Sequence, residues 1–464
     1  MENFGGLDKP IIGEIATPKL HMTRGAPMRM SLAPNSKNAL MVLSIVPLIL
    51  ILALGLVFAP AFAITLLTLG VSLGWLPVII GFVKTQFKAP IKADDRLDTL
   101  PMLTILIPLY KEANMVGQIA EMLKAIEYPE EKLECLILIE ADDRPTAIAA
   151  MLIDWPDFVR ITTVPDGHPR TKARACNYGM DCSQGELVVI FDAEDMPHPQ
   201  QMREAAEKFA TADNTLACLQ APLSILPQNG SWLQAQFALE YRLLFSFILP
   251  NLSEAISCLP LGGSSNYFRR AALEHVGGWD AYNLTEDADL AMRFAGHNYR
   301  IGTLRHETLE NAPHRYLIWH AQRTRWLSGH IQLLHSYGAW TLRNGLRPAG
   351  AFKWSAAMLA CIMVLGVRLV SGLLFIIGGI VLMTPWDTHL SPYLICASIG
   401  SYLIYSLVLL CYAPSDNWAD KFGLVLSHPF YWALTFLANL SAIKRMALGE
   451  VNWLKSPHQP YPKS

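Results

Sequence analysis

The chain is short of charge. Only 16% of its residues are Asp, Glu, Lys or Arg, where a soluble protein of ordinary composition carries about 25%. The formal net charge is −2. No broad basic field is therefore present to hold a phosphate backbone, and nucleic acid is excluded as a partner. Neither G-x-G-x-x-G nor G-x-x-x-x-G-K-[ST] occurs, which removes the main support for a dinucleotide or P-loop site. The eight cysteines form no C-x-x-C pair and follow no regular spacing. Scattered reduced thiols fit them better than a zinc site or a disulfide framework.

Apolar residues make up 52% of the 464-residue chain and concentrate at its two ends. Ala39–Pro60 and Ala61–Val83 are uncharged runs, each of about 20 residues, the length that crosses a hydrocarbon core. Ala59-Pro60-Ala61-Phe62-Ala63 looks like a signal-peptidase site, but the apolar run before it is too long and a second follows at once. A helical hairpin is the expectation. Arg24, Arg29 and Lys37 precede it and Lys84, Lys88 and Lys92 follow it, so both flanks are expected inside.

Three further apolar runs occupy Trp354–Met383, Leu390–Tyr412 and Phe422–Ala442. Lys444, Arg445 and Lys455 favour a C-terminus on the same side, which requires an even number of crossings. One run is therefore expected to be interfacial or re-entrant. Phe422–Ala442, with His428 and Pro429 inside it, is the candidate. Arg368, within the first of the three, either snorkels or faces a channel. The expected organisation is a cytoplasmic segment 1–38, two membrane helices in 39–83, a cytoplasmic domain with interfacial helices over 84–350, membrane or interfacial helices in 351–443, and a tail 444–464.

The central domain reads as α/β. Apolar strands are expected at Leu103–Pro108, Leu133–Ile139, Val159–Val164 and Glu186–Phe191, with helices at Lys111–Ile126 and Arg170–Cys182. Alternating strands and helices imply a mostly parallel sheet, whose ligands bind beyond the carboxyl ends of the strands.

Acidic residues stand at two of those ends. Asp192-Ala193-Glu194-Asp195 is either a solvated turn or a site for Mg²⁺ or Mn²⁺, since hard cations take one or two carboxylates plus substrate phosphates. Asp142-Asp143 is either an Asx-type turn before Pro145 or a pair of acceptors for a base or ribose. Thr285-Glu286-Asp287 opens an apolar-periodic stretch. It is a helix N-terminus with acidic first-turn residues, and a carboxylate fixed there can also act as a general base. Gln322-Arg323-Thr324-Arg325-Trp326 is either a basic interfacial helix or a fork for a diphosphate beside a flat face for a sugar. Gly262-Gly263-Ser264-Ser265-Asn266 is a plain turn or a place where backbone approaches a ligand. The scattered histidines suggest no metal site.

Taken in order, these segments resemble the processive members of glycosyltransferase family 2, the group of bacterial cellulose synthase catalytic subunits, hyaluronan synthases and chitin-oligosaccharide synthases. The resemblance runs from about Leu103 to Trp326, with apolar segments on both sides. Ile107-Pro108-Leu109-Tyr110-Lys111-Glu112 resembles the opening strand motif, and Asp142 the base-binding aspartate. Lys172-Ala173 and Asn177-Tyr178-Gly179 resemble the lysine segment, Asp192-Ala193-Glu194 the Asp-x-Asp motif, and Leu261-Gly262-Gly263-Ser264 the acceptor loop. Thr285-Glu286-Asp287 and Gln-x-x-Arg-Trp at Gln322–Trp326 are intact, and at this separation they are the specific part. Glu194 stands where the family has Asp, so either Glu194 or Asp195 completes the metal pair. No long C-terminal regulatory domain is expected. Trp453–His458 resembles a tail of some bacterial members, with no role assigned.

The resemblance implies a GT-A domain, Rossmann-like with a mostly parallel sheet, plus α-helical membrane segments at both ends. It implies inverting polymerisation of a β-linked polysaccharide from UDP-glucose or UDP-N-acetylglucosamine at a bacterial inner membrane, with the growing glycan and lipid as partners and secretion partners unknown. Pro108, Tyr110, Glu112 and Asp142 would serve the base and ribose side of the donor. Lys172 and a metal at Asp192 with Glu194 or Asp195 would hold the diphosphate, joined by Gln322 and Arg325. Asp287, beside Glu286, would take the acceptor proton. Gly262, Gly263, Ser264 and Trp326 would line the acceptor path. Two rivals are a single-addition enzyme acting on a lipid, and a transporter or scaffold with an inactive transferase domain.

Overall fold

A computed structural model describes residues 100–226, 231–344 and 406–449, with the isolated positions 355 and 403. The runs Ala39–Pro60, Ala61–Val83 and Trp354–Met383, Arg368 and most of Leu390–Tyr412 lie outside the described residues. Among the described residues, no helix is long and apolar enough to cross a membrane.

The chain order is β1 (Leu103–Leu109), α1 (Val116–Lys124), β2 (Leu133–Glu140), α2 (Arg144–Met151), β3 (Val159–Val164), α3 (Lys172–Asp181), β4 (Leu187–Ile190), β5 (Met196–Pro197) and α4 (Gln201–Thr211). It continues with β6 (Leu216–Gln220), β7 (Leu223–Ile225), α5 (Trp232–Leu243), a π-helical stretch Leu244–Ile248, α6 (Leu249–Ile256), β8 (Asn266–Arg269) and α7 (Arg270–His275). It closes with α8 (Glu286–Gly296), β9 (Arg300–Thr303), β10 (Thr308–Glu310), α9 (Tyr316–Asn344) and α10 (Trp418–Ala447).

Seven strands form one sheet in the order β3-β2-β1-β4-β8-β6-β9. The first four are parallel, with Leu106 opposite both Leu136 and Ile190. β8 then enters antiparallel to both β4 and β6. Burial on both faces explains the unbroken apolar strands. Leu106, Leu136, Leu138, Val188 and Ile190 point to one core, and Ile105, Ile107, Ile137, Ile139 and Val189 to the other. A small second sheet, β5-β10-β7, closes the carboxyl side.

The order reverses between β1 and β4. This switch point opens a crevice at the strand ends, into which Tyr110–Glu112 and Asp192–Asp195 run. The helix expected from Lys111 begins only at Val116. Lys111 adopts φ 56°. Its N–H donates to Asp143, and the Glu112 N–H donates to Thr146 Oγ1 at 3.0 Å. Asp143 also caps α2 through the Thr146 N–H. The Asx-turn reading thus holds for Asp143, and the loop after β1 is pinned to its neighbour instead of winding into a helix.

Phe422–Ala442 lies inside α10, which contains Pro429. Its buried side meets α9 through Leu327, Ile331, Ala438, Ala442 and Met446, and meets α5 through Leu239, Leu243, Leu424 and Val425.

The approach to β4 is tight. A β-carbon at Gly185 would lie 2.5 Å from the Thr104 backbone nitrogen, while the Gly185 N–H donates to Thr104 Oγ1 at 2.9 Å. Gly185→Ala is expected to lower stability by about 1–3 kcal/mol, read as a fall in denaturation midpoint against the wild type.

Candidate active site

A cavity of 260 Å³ opens beyond the carboxyl ends of β1 and β4. Its walls include Pro108, Tyr110, Glu112, Lys172, Asp192, Glu194, Gly262, Gly263, Ser264, Glu286, Asp287, Gln322, Arg325 and Trp326. The sequence separates these residues by more than two hundred positions, and the fold brings them to one cleft. Asp142 and Asp195 are not among its walls.

Asp142 sits at the rim and is engaged. Arg170 Nη1 donates to it at 2.6 Å and the Tyr110 hydroxyl at 3.4 Å. Arg170, which does line the cleft, also binds Asp166 at 2.9 Å and lies 5.7 Å from the Tyr110 ring. Arg170, not Asp142, is the group presented to the cleft.

Asp195 is buried behind the turn that Asp192 begins. Its Oδ2 accepts the Asp192 N–H at 2.7 Å, and its Oδ1 has no hydrogen-bond partner. Burial, and then Asp192, pushes its carboxyl well above the usual range. Glu310, at the end of β10, closes the same corner and accepts from Ser264 Oγ at 3.3 Å. Burial and the neighbouring Asp195, Glu194 and Asp192 push Glu310 up as well. Like charges this close favour protonation or a cation. Among the described residues, however, no group of three or more His, Cys, Asp or Glu is arranged as a metal site.

Lys172, the first residue of α3, reaches across the cleft. Its Nζ donates to Asp192 Oδ1 at 2.5 Å and to the Gly263 carbonyl at 2.6 Å. Burial opposes its charge, but Asp192 and Glu286 outweigh burial and hold the ammonium above its usual value. The glycine loop is fixed from behind by Gln220, whose Oε1 accepts the Gly262 N–H at 2.7 Å while Nε2 donates to the Ser264 carbonyl at 3.1 Å. A β-carbon at Gly262 would meet the Phe245 ring at 3.0 Å, so the small residue lets the loop lie against α5 and its π-helical extension.

Glu286 and Asp287 form the first turn of α8. Asp287 Oδ1 accepts the Ala288 N–H at 2.8 Å. Oδ2 lies toward Gly263, 3.8 Å from where a β-carbon would stand. Burial raises the Asp287 carboxyl, opposed by the Ala288 N–H, Lys172 and Arg325. Burial and Asp287 push Glu286 up to about 7.

The helix α9 carries Gln322, Arg325 and Trp326 and packs directly on the start of α8. A β-carbon at Gly329 would fall 2.4 Å from Thr285 Cγ2, and Gln332 Oε1 accepts the Leu284 N–H at 3.2 Å. Gln322 Oε1 and Arg325 Nε are buried without hydrogen-bond partners. With Asp195 Oδ1, they put unsatisfied polar atoms around the cleft, as expected of groups that wait for a ligand.

Sequence reasoning did not single out Arg170, Glu140, Glu240, Arg323 or Glu310, all of which line the cleft. Arg323 stood inside a motif read for its neighbours. Glu240 and Glu310 have no local pattern that would mark them.

A family model described as Glycosyl transferase family group 2 matches residues 187–413. A beta-monoglucosyldiacylglycerol synthase of Synechocystis sp. is 26% identical over 248 residues, covering 52% of this chain and 50% of that protein. The cellulose synthase 1 catalytic subunit of Komagataeibacter xylinus is 26% identical over 253 residues, covering 53% of this chain and 33% of that protein. The chain thus spans half or less of the length of these curated relatives. A solved mannosyltransferase from Pyrobaculum calidifontis, in complex with GDP-Man and Mn²⁺, aligns with a TM-score of 0.53 at 20% identity, covering 83% of this chain and 97% of that one. That likeness carries the fold, which is GT-A, Rossmann-like with a mostly parallel sheet.

The Glu286 carboxyl gives a test of this electrostatic arrangement. Its folded value near 7 lies above the ordinary 4.5, so between those limits the folded state holds more proton than the unfolded one. Stability then falls as pH rises through that window. Glu286→Gln is expected to remove this part of the slope, measured by denaturation from pH 4.5 to pH 8.

Proposed function

We propose that the chain, whose residues 187–413 match the model of Glycosyl transferase family group 2, transfers a sugar from a nucleotide-activated donor to a hydroxyl acceptor, inverting the anomeric carbon. The observation that carries this reading is the convergence of Lys172, Asp192, Asp287 and Arg325 on one cleft at the switch point of the sheet. The finer reading is a processive enzyme that builds a β-linked polysaccharide from UDP-glucose or UDP-N-acetylglucosamine. Its catalytic domain would face the cytoplasm of a bacterial inner membrane, and the glycan would leave between membrane helices. The order and spacing of the motifs support it.

The donor lies across the strand ends, with Pro108 and Tyr110 beside its base and Arg170 at the mouth. Lys172 and Arg325 hold the diphosphate. Asp287 Oδ2 takes the proton as the acceptor oxygen bonds to the anomeric carbon. The carbon–oxygen bond to the diphosphate breaks, and the diphosphate leaves with the electron pair. Arg325, its Nε unpaired in the protein, stabilises that growing charge, which is the larger contribution in such sites. Asp192 and Glu194 at the cleft wall, with the unpaired Oδ1 of Asp195 behind, are a donor set suited to a hard divalent cation. A bound Mg²⁺ or Mn²⁺ supplies neutralisation of the diphosphate charge. Trp326 offers a flat face to the acceptor.

A second reading, transfer to a lipid acceptor, has its own support. Leu223, Leu244, Phe245, Leu249, Pro260 and Leu261 give one wall of the cleft an apolar surface suited to an amphiphile. Product length from labelled UDP-sugars incubated with membranes, followed by linkage-specific hydrolases, separates polymer from a single glycolipid.

Asp287→Asn is expected to lower turnover by about 10²–10⁴-fold with nucleotide binding retained, and wild-type turnover by this variant removes the base assignment. Chelation with EDTA is expected to abolish transfer and added Mg²⁺ or Mn²⁺ to restore it. Undiminished transfer without divalent cations defeats the metal assignment.

A further inference from the structure

We propose that Arg323, Glu240 and Tyr431 act as a positioning unit that sets the ring of Trp326 at the acceptor end of the cleft. The proposal rests on the transferase reading above and adds residues that the reading does not use.

Arg323 is only 1% exposed. Both of its terminal nitrogens donate to the Glu240 carboxylate, one at 2.8 Å. The Tyr431 hydroxyl accepts from Arg323 Nη2 at 3.0 Å and donates to Glu240 Oε2 at 2.6 Å. Trp319 Nε1 donates to the same hydroxyl at 3.3 Å. The three residues come from α9, α5 and α10, so the unit fixes three helices at one point.

The guanidinium is also a stacking surface. Its carbon lies 5.0 Å from the Trp326 ring, 5.0 Å from Phe237 and 5.8 Å from Trp319. Trp326 and Phe237 are themselves stacked at 6.4 Å. Arg323 and Trp326 are three residues apart on α9 and share a face. Trp326 is therefore held by a charge that cannot rotate, because its fork is closed on Glu240. A buried ion pair is roughly break-even in stability against apolar residues of the same volume. What it supplies here is a fixed plane for the ring.

The test uses the full-length chain and four variants: Tyr431→Phe, Arg323→Lys, Glu240→Gln and the double apolar replacement Glu240→Met with Arg323→Met. UDP binding, thermal midpoint and transfer turnover are measured for each. Expected is nucleotide affinity within about threefold of wild type and turnover down by about tenfold or more, since small misplacements near a reacting centre cost that much. Tyr431→Phe is expected to show the mildest loss. The double apolar variant is expected to match the wild-type thermal midpoint and still turn over slowly. Recovery of turnover together with stability in that variant overturns the proposal, because the pair would then be only structural. Loss of nucleotide affinity in step with turnover overturns it too. A wild-type chain that transfers from no nucleotide sugar sinks the parent reading, and this proposal with it.

Discussion

An ammonium held between a carboxylate and a carbonyl organises the cleft. Lys172 reaches from the start of α3 to Asp192, beyond β4, and to Gly263 in the glycine loop. The pairing of β4 with β8 already sets the Asp192 turn beside the glycine loop, and Lys172 ties the start of α3 to both. Asp192, Glu194, Glu286 and Asp287 all border the same cavity, and carboxylates gathered so closely repel one another unless cations stand among them. Lys172 on one side and Arg325 on the other offset part of that repulsion. Burial raises both the Asp287 and the Glu286 carboxyls, and at Glu286 the neighbouring Asp287 adds to it. A perturbed carboxyl such as Glu286, pushed up to about 7 inside a cleft, is the kind of group found where charge moves.

The second constraint is contact between backbones. Gly329 lets α9 press against Thr285, which brings Arg325 and Trp326 over the first turn of α8. Gly262 lets the glycine loop lie against Phe245. The geometry of the cleft depends on absent side chains as much as on present ones. The charged groups are delivered by helix starts and strand ends whose own packing is ordinary.

Much of the parallel half of the sheet was legible. The strands at 103–109, 133–140, 159–164 and 187–190 carry apolar runs that have only one use in an alternating α/β chain. Local patterns also drew attention to the segments at 192–195, 262–266, 285–287 and 322–326, because acidic, glycine-rich and Arg-Trp clusters stand out from their surroundings. What escaped was made by long-range contact. The antiparallel entry of β8 between β4 and β6 has no signature in its four residues. Nor does β10, which brings Glu310 to the carboxylates. The helix expected from Lys111 was misjudged because Asp143 and Thr146, more than thirty residues later, claim the backbone that would have begun it. Asp142 matched a pattern, yet Arg170 holds it at the rim.

The hydroxyl of Tyr431 reaches the cleft wall from a helix near the far end of the chain. A ribosome delivers the β-strands first, and an emerging domain folds as its parts appear. The sheet and its crevice can therefore form while α10 is still unmade. The Arg323–Glu240 fork must wait for its third member until Tyr431, 108 residues after Arg323, has been synthesised, a delay inherent to N-to-C synthesis. Maturation of the cleft is thus tied to the synthesis of α10, and a nascent chain that has not reached Tyr431 lacks one of the anchors beneath Trp326.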